Sequence, residues 1–219
     1  MKKINKILPR YMWIPLILAL VCNSVAYFGT RIYTTSKYHY ILSSKLDVMI
    51  PLVPYWIIIY WGCYLFWGIN YVLGCRQDKD EAYRFISADF LAKIICMIIF
   101  ILFPTTNIRP VIVGGDFWND AMLNLYSMDA ADNLFPSIHC LTSWFCYIAV
   151  RKNDDIPKSY KAISFILAVM VFISTLTTKQ HVIVDVIGGV ALAEFSYWFV
   201  QKSGFTRLYR KVLEGKKNV

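Results

Sequence analysis

The sequence predicts an all-α fold: a bundle of six transmembrane helices with both termini cytoplasmic, built as a single domain over residues 1–219. Three observations lead there. Hydrophobic residues make up 58% of the chain and charged residues only 17%, too little charge to cover the surface of a soluble domain this size. The apolar residues gather into runs that approach the roughly 20 residues a helix needs to cross a ~30 Å hydrocarbon core. The basic residues fall in short segments between those runs, which is how membrane topology is written. The same placement argues against nucleic-acid binding, despite a net charge of +9.

Taken in order, the expected helices are about Met12–Gly29, Met49–Leu73, Phe85–Phe103, Pro136–Val150, Tyr160–Thr177 and His181–Val200. The first follows Lys2, Lys3, Lys6 and Arg10. It is long enough to span and no A-x-A-like cleavage site follows it, so it reads as an uncleaved anchor. The fourth and sixth open with polar residues, which are costly in a membrane helix and usually serve a function. Residues Pro104 to Phe135 form the one long connection, read as irregular from Gly114-Gly115 and its scattered aspartates.

Orientation follows from the basic residues. The N-terminal tail, the second and fourth connections and the C-terminal tail alternate along the chain and hold 17 of the 23 Lys and Arg residues. These segments are expected in the cytoplasm, with the 104–135 connection and the turn before His181 facing outward. The chain is thus read as a multi-pass protein of the cell membrane. Five cysteines lie inside apolar runs and Cys75 just beyond one; none has a metal-ligand spacing, so they read as small apolar residues. Asp89 and Lys93, four apart, read as an ion pair near the cytoplasmic end. Asp116, Asp120, Asp129 and Asp132 fit no ligand pattern and are read as helix caps and solvated loop.

Three pieces of chemistry converge on the outer face. His181 and Asp185 are four apart, hence on one helix face. A hydrogen bond to the carboxylate would fix the imidazole tautomer and leave the other nitrogen free as a nucleophile towards phosphorus. Pro136-Ser137-Ile138-His139 opens a helix: Pro suits its first turn, its N–H groups favour an anion, Ser137 adds a hydroxyl, and His139 can act as general acid. Arg109, followed by Pro110, offers a guanidinium suited to bidentate phosphate binding.

These residues resemble the type 2 phosphatidic acid phosphatase superfamily, which includes the vanadium haloperoxidases. Its first block is a Lys, six residues, then Arg-Pro. Arg109-Pro110 match, but Leu102 stands at the Lys position. The second block, Pro-Ser-x-His, is complete at 136–139. The third is Ser-Arg, five residues, His, three residues, Asp. Ser174, His181 and Asp185 match, and Thr175 replaces the Arg. The resemblance implies attack by His181 to form a phosphohistidine, orientation by Asp185, proton transfer by His139, and phosphate binding by Arg109 and Ser137, with no metal or other cofactor. Lys179, in the turn before His181, could replace one missing cation. The missing Arg is also similar to the inositol phosphorylceramide and sphingomyelin synthase branch.

The expected function is therefore a membrane lipid phosphatase acting on a phosphomonoester or pyrophosphate of a lipid. Its alternatives are a lipid phosphotransferase with an alcohol acceptor, or a non-enzymatic transporter or scaffold. The expected partners are the lipid phosphate and the bilayer, with no nucleic acid. The charge pattern makes a direct prediction. A cysteine placed at Ser127 should react with an impermeant thiol reagent on intact cells, and one placed at Asp155 should not. The reverse labelling pattern would invert the proposed orientation.

Overall fold

The protein is described by a computed structural model covering residues 8–215, which is helical almost throughout. The expected basic positions Lys2, Lys3, Lys6, Lys216 and Lys217 lie outside the described residues. Helix α1 runs Arg10–Thr34 and contains a five-residue π-helical stretch at Val25–Gly29. A strand residue pair β1, Tyr40–Ile41, is followed by the short helix α2, Lys45–Met49. Helices α3 (Pro54–Cys75) and α4 (Lys79–Leu102) follow, and then β2, Thr105–Thr106, which pairs in parallel with β1. The remaining helices are α5 (Phe117–Met128), α6 (Ile138–Arg151), α7 (Lys158–Thr177), α8 (Ile183–Lys202) and α9 (Phe205–Glu214).

Two differences from the sequence reading have clear causes. Helix α4 begins six residues before Phe85 because Asp78 caps it, accepting the N–H groups of Asp80 and Glu81 at 3.1 Å each. The polar first turns carry no hydropathy signal. The 104–135 connection is not irregular: Asp116 caps α5, accepting from Trp118 and Asn119 N–H. Ala121, Met122 and Leu125 of α5 pack on Ile57 and Tyr60. A 12-residue amphipathic helix lying over the bundle is too short and polar to register as a span.

Five helices, α1, α3, α4, α7 and α8, are long and apolar enough to cross a membrane. The expected fourth span is α6, with 14 residues, or about 21 Å at 1.5 Å per residue. It is the central helix. Eleven of its residues are buried, packed among α3, α4, α7 and α8. The expected Lys93–Asp89 pair forms at 2.8 Å in the interior, and the Tyr71 hydroxyl donates to Asp89 at 2.6 Å. All six cysteines are buried and unpaired.

The two ends of the described chain lie at one end of the bundle. Tyr11 stacks on Tyr83 with ring centres 6.0 Å apart, and the Tyr83 hydroxyl donates to Glu214 at 2.9 Å. At this end Gln77 also donates to the Ala149 carbonyl near the close of α6, at 3.0 Å. The N-termini of α6 and α8 meet at the opposite end, where Ser137 N–H donates to the Asp185 carbonyl at 3.0 Å. That approach depends on Gly188 and Gly189. A Cβ on Gly189 would lie 2.6 Å from the backbone oxygen of Ser137 and 3.1 Å from the Leu141 nitrogen. At Gly188 it would meet only the Phe135 ring, at 2.5 Å.

These contacts predict different costs. Gly189→Ala should destabilise the protein by about 1–3 kcal/mol, since backbone must move. Gly188→Ala should cost less, because a side chain can turn aside. Thermal denaturation of the two variants in detergent checks this, and an equal or reversed order would contradict it.

Candidate active site

The α6–α8 junction brings the two sequence-predicted histidines together, with ring centres 5.9 Å apart. His181 sits just before α8, its N–H and that of Gln180 both donating to the Thr175 carbonyl, at 3.1 and 2.9 Å. Its Nδ1 is 3.3 Å from Asp185 Oδ2. The same oxygen accepts the Val182 N–H at 3.0 Å. With Nδ1 as the donor to this carboxylate, the lone pair of His181 lies on Nε2. Asp185 is 1% exposed, and among the described residues His181 is the one ionisable side chain in contact with its carboxylate.

His139 lies in the first turn of α6. Tyr60 packs against it at 4.6 Å and Trp67 at 5.5 Å between ring centres. Its Nε2 is buried without a hydrogen-bond partner. Pro136 lies before the helix rather than in its first turn, and Ser137 is the N-cap, its Oγ accepting the Cys140 N–H at 3.2 Å. The hydroxyl proton of Ser137 remains available. Some of the helix N–H groups expected to hold an anion are engaged: at α6 the Ser137 N–H goes to the Asp185 carbonyl and the Cys140 N–H to Ser137 Oγ, and at α8 the Ile183 N–H donates to the Asp47 carboxylate at 2.7 Å.

Arg109 reaches this end from the segment after β2. It donates to the Asp129 carbonyl at 2.6 Å and to the Gln180 side-chain oxygen, and it lies 4.6 Å over the Tyr126 ring. Its Nε is buried without a partner, and each terminal nitrogen keeps a second hydrogen. Arg109, Lys179 and His181 line one cavity of about 520 Å³, walled otherwise by the α2 segment and Leu176. Lys179 does not point freely into it. Its ammonium donates to the carbonyls of Ile50 and, at 2.9 Å, Asp47, so it closes the C-terminal end of α2. Burial lowers its pKa, opposed in part by Asp47.

The loop that leads into α6 is braced by α1 and β2. Arg31 pairs with Asp132 at 2.9 Å, Asn133 donates to Thr30 and Thr34, and Thr105 Oγ1 accepts from Leu134 and Phe135 N–H. This loop carries Asp129, which is not the solvated residue expected. Its carboxylate accepts both the Tyr27 and Tyr60 hydroxyls, and it lines a narrow void with His139, Gln180 and His181. Burial would raise its pKa, but His139, the two phenol hydrogen bonds and His181 outweigh this and hold it below the usual carboxylate value. Asp116, by contrast, is the helix cap expected.

Residues 55–199 match the sequence model of the PAP2 superfamily. The chain belongs to this superfamily. Comparison with curated proteins and with solved structures found no match. The PAP2 match supports phosphatase-type lipid phosphoester chemistry in a membrane protein. Its two substituted cation positions differ in setting. Leu102 is 76% exposed at the end of α4, whereas Thr175 is fully buried, with Oγ1 3.7 Å from Cys140 Sγ. Gln180, absent from the motif reading, is 1% exposed and has its Nε2 unpartnered. It adds a neutral donor beside Arg109. Only its position next to His181 could have signalled it. Asp129 could have been suspected as the acidic residue closing an amphipathic segment ten positions before His139.

The His181–Asp185 contact makes a prediction. Asp185→Asn should keep the fold, because the amide is isosteric. It should lower phosphoester turnover greatly, since the same change in a serine-protease triad lowers it about 10⁴-fold. Turnover and thermal stability measured on one preparation check this; retained turnover would remove Asp185 from the orienting role.

Proposed function

We propose that this PAP2 superfamily protein is a multi-pass cell-membrane lipid phosphatase that works through a phosphohistidine at the outer face of the membrane. The observation that carries the reading is the His181–Asp185 dyad set opposite His139, with Arg109 lining the cavity that reaches His181. His181 Nε2 donates its electron pair to phosphorus as the bond to the leaving oxygen breaks. His139 gives that oxygen its proton. Asp185 stabilises the positive charge on the attacking ring. Water then attacks the phosphohistidine, its proton passes to His139, and the P–N electron pair returns to His181. Arg109 and Ser137 bind the phosphoryl oxygens, assisted by the Gln180 amide. Lys179 could join them only by leaving the α2 carbonyls. All these roles fall to side chains of the chain, so the scheme needs no metal.

Six crossings with cytoplasmic termini are part of the proposal. The shared end of the described termini is consistent with an even number of crossings, α6 being a short one enclosed by its neighbours. The two histidines, Asp185, Ser137 and Arg109 gather at one end of the bundle, which favours an enzyme, and the mid-helix pair Asp89–Lys93 is closed on itself and on Tyr71.

A second reading, transfer of the phosphoryl-bearing group to an alcohol, is favoured by one observation. A cavity of about 460 Å³ reaches His139 from between α1 and α3, on residues other than those of the Arg109 cavity. Two approaches to one histidine pair suit a donor and an acceptor. Free phosphate as product means hydrolysis, and a new phospholipid means transfer.

His181→Ala should abolish turnover. Labelled substrate quenched without acid should leave base-stable, acid-labile phosphate on the wild-type protein. His139→Ala should impair lipid alkoxide leaving groups more than p-nitrophenolate, which needs no proton. Activity should survive EDTA. Label on Ser137, or substantial turnover by His181→Ala, would refute the mechanism.

A further inference from the structure

We propose that the cavity between α1 and α3 recognises an alkylammonium group, the cationic part of a substrate headgroup or of an acceptor alcohol. The proposal deepens the function above and rests on it for the reaction, but its binding chemistry stands on the cavity alone.

The walls are aromatic. Tyr27 and Phe28 come from α1, and Tyr60, Trp61, Tyr64 and Trp67 from α3. Asp129 lies at the inner end, beside His139. A volume of about 460 Å³ suits a small-molecule site. The π-helical stretch Val25–Gly29 contains Tyr27, whose hydroxyl reaches Asp129. Such stretches recur at functional sites.

The charge arrangement specifies the ligand. The carboxylates of Asp132 and Asp185 are in contact with Arg31 and His181. Among the described residues the Asp129 carboxylate makes no salt bridge and accepts two phenol hydrogens, while Arg109 is bonded to its carbonyl. The Asp129 carboxylate is held in the ionised form, so a negative charge stands at the inner end of an aromatic cavity. A bound cation would be attracted to it. Quaternary ammonium groups are bound by just this combination of π faces and one anion. The phosphate would stay on the Arg109 side, since Asp129 repels it. Phe28, Trp61 and Tyr64 are 61%, 42% and 58% exposed, so the cavity opens sideways between two membrane-length helices, and a headgroup can enter from the bilayer. The rival reading makes Asp129 only a partner for the His139 proton. That role requires no preference among ligands.

The probes are choline and its neutral isostere 3,3-dimethylbutan-1-ol. They are titrated into protein in maltoside micelles, with binding read by tryptophan fluorescence. The expected result is at least about tenfold tighter binding of choline, the size of one favourable cation–π and charge contact. Asp129→Asn should abolish the difference, and Tyr64→Leu, at a half-exposed wall position, should reduce it. His181→Ala should retain it while losing turnover, so failure of the histidine mechanism and failure of this site are separately visible. Equal binding of the two probes to the wild-type protein would overturn the proposal, as would a preference that survives Asp129→Asn. In turnover, preferential breakdown of a phosphocholine lipid over phosphatidic acid assigns the cation to the lipid headgroup. Acceleration of phosphatidic acid breakdown by free choline assigns it to the acceptor.

Discussion

The site depends on the close apposition of two helix N-termini. The Ser137 N–H meets the Asp185 carbonyl, and Gly189 has no Cβ, so the α6 backbone can settle against α8. The placement of the two histidines follows from this contact. It places His139, two residues after Ser137, across from His181, four residues before Asp185. It also makes α6 and α8 run parallel from a common level, so the chemistry sits at one end of the bundle. Neither helix could approach so closely if position 189 carried a side chain, because the obstruction would be backbone.

Around that junction the protein uses polar side chains mainly to hold its own loops. Lys179 fastens the end of α2, Asp47 caps α8, and Arg109 ties the Asp129 carbonyl to Gln180. A loop-borne site held this way can be well ordered even though its connections lie outside the helices. The arrangement also explains how the chain tolerates the loss of two family cations. Leu102 faces outward, and the space near Thr175 is taken up by packing against Cys140 and by the turn its carbonyl supports. Arg109 and the Gln180 amide stand on the phosphate side instead, a weaker electrostatic field than three cations would make.

The histidine pair lies between two unlike environments. On the Arg109 side the cavity is basic and bordered by α2; on the other it is aromatic and ends at Asp129. Opposite charges on opposite sides of one reacting centre would orient a substrate having an anionic and a cationic part.

The sequence by itself determined the membrane-helical class, because apolar runs of bilayer length have few other uses, and it singled out His181, Asp185, His139, Ser137 and Arg109, because fixed spacings on helix faces and a helix start are local properties. It also identified the Asp89–Lys93 pair, which needs only one helix turn. Only the tertiary structure decided the rest. Helix α5 was hidden because its apolar face is short, and the 14-residue length of α6, enclosed by its neighbours, was set by packing. Lys179 was claimed by Asp47 and Ile50, more than a hundred residues away in the chain. Asp129 passed for a loop acid until folding set Tyr27 and Tyr60 on either side of it. Contacts between distant segments carry no periodicity and no spacing, so they are fixed only when the helices pack.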